Sequence, residues 1–157
     1  MSIHGGDVYR NHVDIDFSIN VNPFGTPECV KEALHKAVEM CGKYPDMEAE
    51  RLGEAVSTFL GVPKEYLIFG NGASELFMAI VHGIKPGKVV IPVPSFYGYE
   101  YAAKSVDSEI IYYEMNQENN FCLKENMKRI LTEEVNLLFL ANPNNPIGNL
   151  LDKELMK

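Results

Sequence analysis

The chain has 157 residues, 46% of them hydrophobic and 23% charged, which suits one ordinary domain with a real core. Its net charge of −8 argues against a nucleic-acid surface, where a basic stripe is expected. No stretch approaches the ~20 apolar residues of a membrane span.

Residues 1–25 are rich in turn formers: Gly5, Gly6, Asn20, Asn22, Pro23 and Gly25. At Thr26-Pro27 a helix is predicted, with Thr26 as N-cap and Pro27 in the first turn. Val30, Ala33, Leu34, Ala37, Val38 and Cys41 then give a helical apolar stripe that Gly42 closes. Asp46 opens a second helix carrying Leu52, Val56, Phe59 and Leu60, ended by Gly61 and Pro63. From there strand and helix alternate. Strands are predicted at 66–69, 88–93, 109–115 and 137–141. Helices are predicted in LFMAIVHGI and LKENMKRILTEE, and PSFYGYEYAAKSV reads as loop and helix. LLDKELMK reads as the start of another helix. This alternation predicts an α/β fold with a parallel sheet covered on both faces, whose ligands gather at the carboxyl ends of the strands.

Three strand-to-helix turns and one loop carry chemistry. In FGNGASELF, Gly70 and Gly72 permit left-handed backbone, and the free N–H groups near Ala73, Ser74 and Glu75 suit an anion. A plain turn capped by Ser74 is the alternative. No Gly-Lys-Ser/Thr follows, and Glu75 stands where a dinucleotide fingerprint needs a third glycine. In IPVPSFYGYEY, Phe96 is first after the turn and placed to stack on a planar ligand, while the tyrosines suit packing. In NPNNPIG an asparagine can donate to a ligand oxygen, or the segment is only a turn. Tyr44 lies in GKYPDME between two helices, with a surface role as its alternative.

Cys29, Cys41 and Cys122 form no CxxC, so a reducing cytoplasm without disulfides is expected. The N-terminal MSIHGGDVYRNHVD shows no signal-peptide core. His4, His12, His35 and His82 have no ligand spacing, and no metal is expected.

Taken in order, Asn-Pro-x-Gly at 22–25, Tyr-Pro at 44–45, Gly-Asn-Gly-x-x-Glu at 70–75, Pro-x-Phe at 94–96 and Asn-Pro-Asn-Asn-Pro-x-Gly at 142–148 resemble the class I/II (fold type I) aminotransferases, which are pyridoxal-phosphate enzymes. The likeness is to the branch of histidinol-phosphate aminotransferase and threonine-phosphate decarboxylase, and HGG with DFSINVNPFG leans toward the decarboxylase.

The resemblance implies a three-layer α/β sandwich with a mainly parallel sheet. Residues 1–45 would be an N-terminal arm and first helix, and 46–157 an incomplete N-terminal part of the cofactor-binding large domain. It implies pyridoxal 5'-phosphate as cofactor, with Gly72, Ala73 and Ser74 cupping its phosphate. Phe96 would stack on its ring and Asn145 donate to its phenolic oxygen. Tyr44 would reach the neighbouring subunit's cofactor in a homodimer. His4 and Asn22 would lie near the acidic end of an amino-acid or amine substrate, one that bears phosphate. Ile147 replaces the family's usual Thr.

The family's Schiff-base lysine, its Asp for the pyridine nitrogen and its Arg for the substrate carboxylate are expected beyond residue 157. The chain is accordingly expected to be the N-terminal part of an enzyme, inactive alone, with an exposed apolar edge or face. A non-catalytic cofactor-binding module and an unrelated nucleotide-binding α/β protein are the other readings.

Overall fold

The computed structural model describes residues 5–155, so His4 lies outside the described residues. The chain divides into two compact units, one up to Phe69 and one from Gly70 onward.

The first unit holds α1 (Glu28–Val38), α2 (Glu50–Leu60) and a 3₁₀ turn at Lys64–Tyr66. Pro27, not Thr26, is the N-cap of α1, and its carbonyl accepts from Val30 and Lys31. A proline at that position is already extended (φ −55°, ψ 144°), so no side-chain cap forms. The helix ends at Val38, before the predicted Gly42. Asp46 does not begin α2 but stands before it, its carboxylate accepting from Glu48 N at 3.1 Å and Glu50 N at 2.8 Å. Gly61 ends the helix as predicted, at φ 65°. That conformation suits glycine because no Cβ crowds the following carbonyl.

The predicted strand at 66–69 does not form. Pro63 leads into the 3₁₀ turn instead, and Tyr66 and Ile68 stay 77% and 75% exposed. The stripe of α1 lies open too: Val30, Leu34 and Val38 are all exposed. Among the described residues every buried hydrophobic belongs to the second unit.

That unit runs α3 (Ala73–Ile84), β1 (Lys88–Val93), α4 (Tyr97–Lys104), β2 (Glu109–Glu114) and β3 (Leu137–Leu138). The strands form a parallel sheet in the order β2-β1-β3. Register pairs Val89 with Ile110 and Leu137, and Val90 with Ile111 and Leu138. β3 is shorter than the predicted 137–141, although Phe139 N still donates to Val90 O at 3.1 Å. Its side chains alternate as a strand requires. Leu137, Phe139 and Ala141 pack with Val89, Ile91, Val81, Ala102 and Ala103 under α3 and α4. Leu138 and Leu140 face Tyr113, Met115 and Met127 on the other side. Val81, Val89, Val90 and Ile91 are fully buried, each contributing about 1.5–3 kcal/mol by removal from water.

The predicted helix in 123–134 shrinks to a 3₁₀ turn at Glu125–Arg129. Winding at three residues per turn puts Met127 and Ile130 on one side, and both pack against the second face. The Tyr113 hydroxyl donates to Asn126 Oδ1 at 2.6 Å and ties this segment to the sheet. The described part of LLDKELMK forms only a turn. No helix among the described residues is long and apolar enough to cross a membrane.

Candidate functional site

In a parallel sheet the strand-to-helix turns all emerge at one end, and α3 returns its amino terminus to that end before β1 begins. Side chains mark the meeting point. Phe77, one turn into α3, lies 6.3 Å from the ring of Phe96 after β1 and 5.9 Å from Phe139 at the end of β3. The structure therefore gathers the turn before α3, the turn before α4 and the end of β3 at the carboxyl end of one sheet.

The first turn is held from within. Gly72 is the N-cap of α3 at φ 82°, and its N–H donates to Gly70 O at 2.9 Å. A Cβ at Gly72 would meet nothing within 4 Å, so the space before the helix is open. Ser74 is the second residue of the helix, not its cap, and its exposed hydroxyl takes no partner among the described residues. Ala73 and Ser74 thus present N–H groups at the positive end of a 12-residue helix.

Phe96 is the N-cap residue of α4 and is half-buried. Its ring meets Tyr99 edge-on at 5.7 Å and 82°. Gly98 lies beneath it, where a Cβ would come within 2.3 Å of its Cε1. The ring is thus fixed by packing on its inner side. Tyr99 is stacked on Phe139 at 4.8 Å and 14°, and burial raises its phenol above the ordinary tyrosine range.

The NPNNPIGN segment follows β3, with cis bonds before Pro143 and Pro146. Three of its asparagines are spent on the loop. Asn142 Oδ1 accepts from Leu151 N at 3.0 Å, Asn144 Oδ1 from Ile147 N at 3.2 Å, and Asn149 Nδ2 donates to Asn120 O at 2.5 Å. Gly148 at φ 84° turns the chain so that Gly148 N reaches Asn144 O at 2.7 Å. Asn142 and Asn144 use only their carbonyl oxygens in these bonds, while Asn145 uses neither side-chain atom among the described residues.

A cavity of about 200 Å³ opens at the same end of the sheet, with Pro92, Tyr99, Met115, Phe139, Asn144 and Asn149 among its walls. The predicted site residues Gly72, Ala73, Ser74, Phe96 and Asn145 lie outside it. Phe96 reaches its wall through Tyr99, a residue assigned to packing by sequence alone.

The remaining predicted residues belong to the first unit. Tyr44 is 88% exposed in an irregular stretch. Asn22 is used locally: its Oδ1 accepts from Phe24 N at 3.1 Å and its Nδ2 donates to Gly25 O at 2.9 Å. That is a closed Asx-type turn, the plain structural role for an Asn-Pro-x-Gly segment.

The profile of aminotransferase class I and II matches residues 13–157. The chain belongs to the class I and II aminotransferase family. It is 40% identical over 154 residues to a protein of Caldanaerobacter subterraneus provisionally named threonine-phosphate decarboxylase, covering 96% of this chain and 41% of that one. Among solved structures it is similar to histidinol-phosphate aminotransferase from Clostridium acetobutylicum, at 28% identity and a TM-score of 0.73, covering 88% of this chain and 40% of that one. A histidinol-phosphate aminotransferase from Sinorhizobium meliloti, solved in complex with pyridoxal-5'-phosphate, shares the fold at a TM-score of 0.70 and 23% identity, covering 78% of this chain and 34% of that one. The chain spans less than half the length of the curated relatives it matches. The small parallel sheet with its helices is thus part of the aminotransferase fold, as the sequence predicted.

Proposed function

We propose that this aminotransferase-family chain supplies the phosphate and ring contacts for pyridoxal 5'-phosphate in an enzyme acting on a phosphate-bearing amino acid or amine. The reaction is transamination of the histidinol-phosphate type or decarboxylation of the threonine-phosphate type. The observation that carries the reading is the unused amide of Asn145. Among the asparagines of this loop it is the one whose side chain makes no hydrogen bond within the described residues, and it lies at the carboxyl end of the sheet.

The residues present fit the cofactor. Its phosphate would sit before α3, held by the N–H groups of Ala73 and Ser74 and the Ser74 hydroxyl. Gly72 leaves that approach open, since a side chain there would project into it. Phe96 would stack on one ring face, already anchored by Tyr99 and Gly98. Asn145 Nδ2 would donate to the ring oxygen. The bound cofactor supplies an electron sink for bond cleavage at the substrate's α-carbon. The side chains named here orient its ring, and ring orientation decides which bond stands perpendicular to it.

Tyr44 would reach the cofactor phosphate in the other subunit of a homodimer, which its exposure allows. His4 and Asn22 would lie near the substrate's acidic end, and Asn22 must release its turn bonds to do so. The cysteines found free, Cys29, Cys41 and Cys122, suit a reducing cytoplasm.

The test is a titration with pyridoxal phosphate and with pyridoxal, followed by tyrosine fluorescence. The phosphate form is expected to bind at least tenfold tighter, and Ser74→Ala and Asn145→Ala each to weaken it. Equal binding of the two ligands would sink the reading. No turnover is expected from these 157 residues alone. A borohydride-trapped covalent adduct on one of their lysines would overturn that part. Binding without turnover in the full-length protein would favour the non-catalytic module.

A further inference from the structure

Glu75 is the part of the Gly-Asn-Gly-x-x-Glu segment to which the proposed function gives no role. It is the third residue of α3, and its Oε2 accepts the backbone N–H of Asn71. At this position a glutamate ordinarily reaches back to the N-cap N–H as half of a capping box. Here it reaches one residue further out. The N-cap is Gly72, which has no side chain to contribute, and its own N–H is already turned inward to Gly70 O at 2.9 Å. The result is a sorted set of donors. Asn71 and Gly72 have their N–H groups satisfied inside the loop. Ala73 and Ser74, the two residues proposed to hold the phosphate, have theirs pointing at no acceptor outside the helix among the described residues.

A second observation shows how closely the carboxylate is seated. A Cβ at Gly70 would lie 3.1 Å from Glu75 Oε2 and 2.9 Å from Leu76 Cδ2. The glycine thus makes room for Leu76 and the glutamate together rather than for a left-handed turn.

We propose that Glu75 is a positioning residue for the phosphate cup: its carboxylate clamps Asn71 N–H, fixing the Gly70–Gly72 loop so that the Ala73 and Ser74 donors are preformed for a phosphate-bearing ligand. The inference rests on the cofactor reading above. The clamp also has a built-in opposition. The carboxylate holds the loop in shape for an anion while placing a negative charge at the same helix end. Its acceptor oxygen helps the ligand, and its charge works against it.

Two variants separate these effects. Glu75→Ala removes acceptor and charge together. Glu75→Gln keeps an acceptor oxygen and removes only the charge. In the full chain, titrated with pyridoxal phosphate and with pyridoxal, Glu75→Ala is expected to weaken the phosphate form roughly tenfold. Glu75→Gln is expected to match the parent or exceed it by up to about threefold. Pyridoxal should change little in either. An unchanged Glu75→Ala, or a Glu75→Gln that falls as far as Glu75→Ala, would overturn the proposal. Amide exchange at Asn71 gives a readout without ligand. Slow exchange in the parent and in Glu75→Gln but fast in Glu75→Ala supports the clamp, and fast exchange in the parent refutes it. If the parent binds both ligands equally, the cofactor reading fails, and the exchange result still decides separately whether the clamp exists.

Discussion

Replacing Gly98 by alanine sets two known effects against each other. A Cβ there would lie 2.3 Å from Cε1, 2.9 Å from Cδ1 and 3.1 Å from Cζ of Phe96. Carbon atoms rest at about 3.5–4.0 Å, so the ring must retreat by about 1 Å or more. It has little freedom to do so, because Phe77 and Tyr99 hold it at 6.3 and 5.7 Å between centroids. Overpacking of this kind costs about 1–3 kcal/mol. Alanine in a helix is meanwhile favoured over glycine by about 1 kcal/mol, and Gly98 has no positive φ to forbid it. The net expectation is a loss of up to about 2 kcal/mol. In a Phe96→Ala background the obstacle is gone, and the same substitution should stabilise by up to about 1 kcal/mol. Urea denaturation of the four proteins, followed by far-ultraviolet circular dichroism, measures the cycle. The sign should reverse between backgrounds. A coupling below about 0.5 kcal/mol would refute the claim that Gly98 is there to seat Phe96.

Phe139→Ala should cost about 3–5 kcal/mol, since the ring is buried and stacked on Tyr99, and thermal melting should show it. Tyr99 and Tyr112 should form a late class in an alkaline titration read at 295 nm. Burial raises both phenols, with the Glu100 charge adding to the effect at Tyr112. Because these folded values lie above the unfolded one, their contribution to stability is full below ~10 and is lost as pH rises through the folded values. Tyr99→Phe should remove one member of the late class. Glu134 titrates below the ordinary carboxyl range because of its hydrogen bond and charge pairing with Lys88, at 2.7 Å. Its contribution is present above the unfolded value and fades as pH falls through the depressed one. Lys88→Met should return it to the ordinary range in an NMR titration.

The parallel sheet was legible because β1 and β2 are short β-rich runs bounded by turn signals, and such runs pair wherever a partner exists. YLIF has the same local character, yet it begins in a 3₁₀ turn and stays exposed, because strand formation depends on context that no local pattern reveals. LKENMKRILTEE has a helical stripe, yet a three-residue period is enough to seat Met127 and Ile130, so the tighter winding serves. At the candidate site, residue types marked the three turns, but not the division of labour within them. Which of four asparagines is left unused depends on bonds to Leu151 N, Ile147 N and Asn120 O. Asn22 shows the converse, a motif residue whose amide closes its own turn. Glu75 was visible as a departure from a dinucleotide fingerprint, while its hold on Asn71 depends on how the loop folds back over the helix start.

β1 lies at the centre of its sheet, between two strands that are both made after it. The Ser108 hydroxyl donates to Pro86 O near one neighbour, closing a separation of 22 residues, and Lys88 N donates to Asn136 Oδ1 near the other, closing 48. On a ribosome adding roughly 5–20 residues per second, the Val89-Val90-Ile91 run waits on the order of 2–10 s for its second neighbour. For that interval an apolar strand has an unpaired edge, the arrangement that recruits strands from other nascent chains. Yield during synthesis should then depend on how quickly residues 137–141 follow, so slow translation of the stretch just before them is a route to aggregates of this chain.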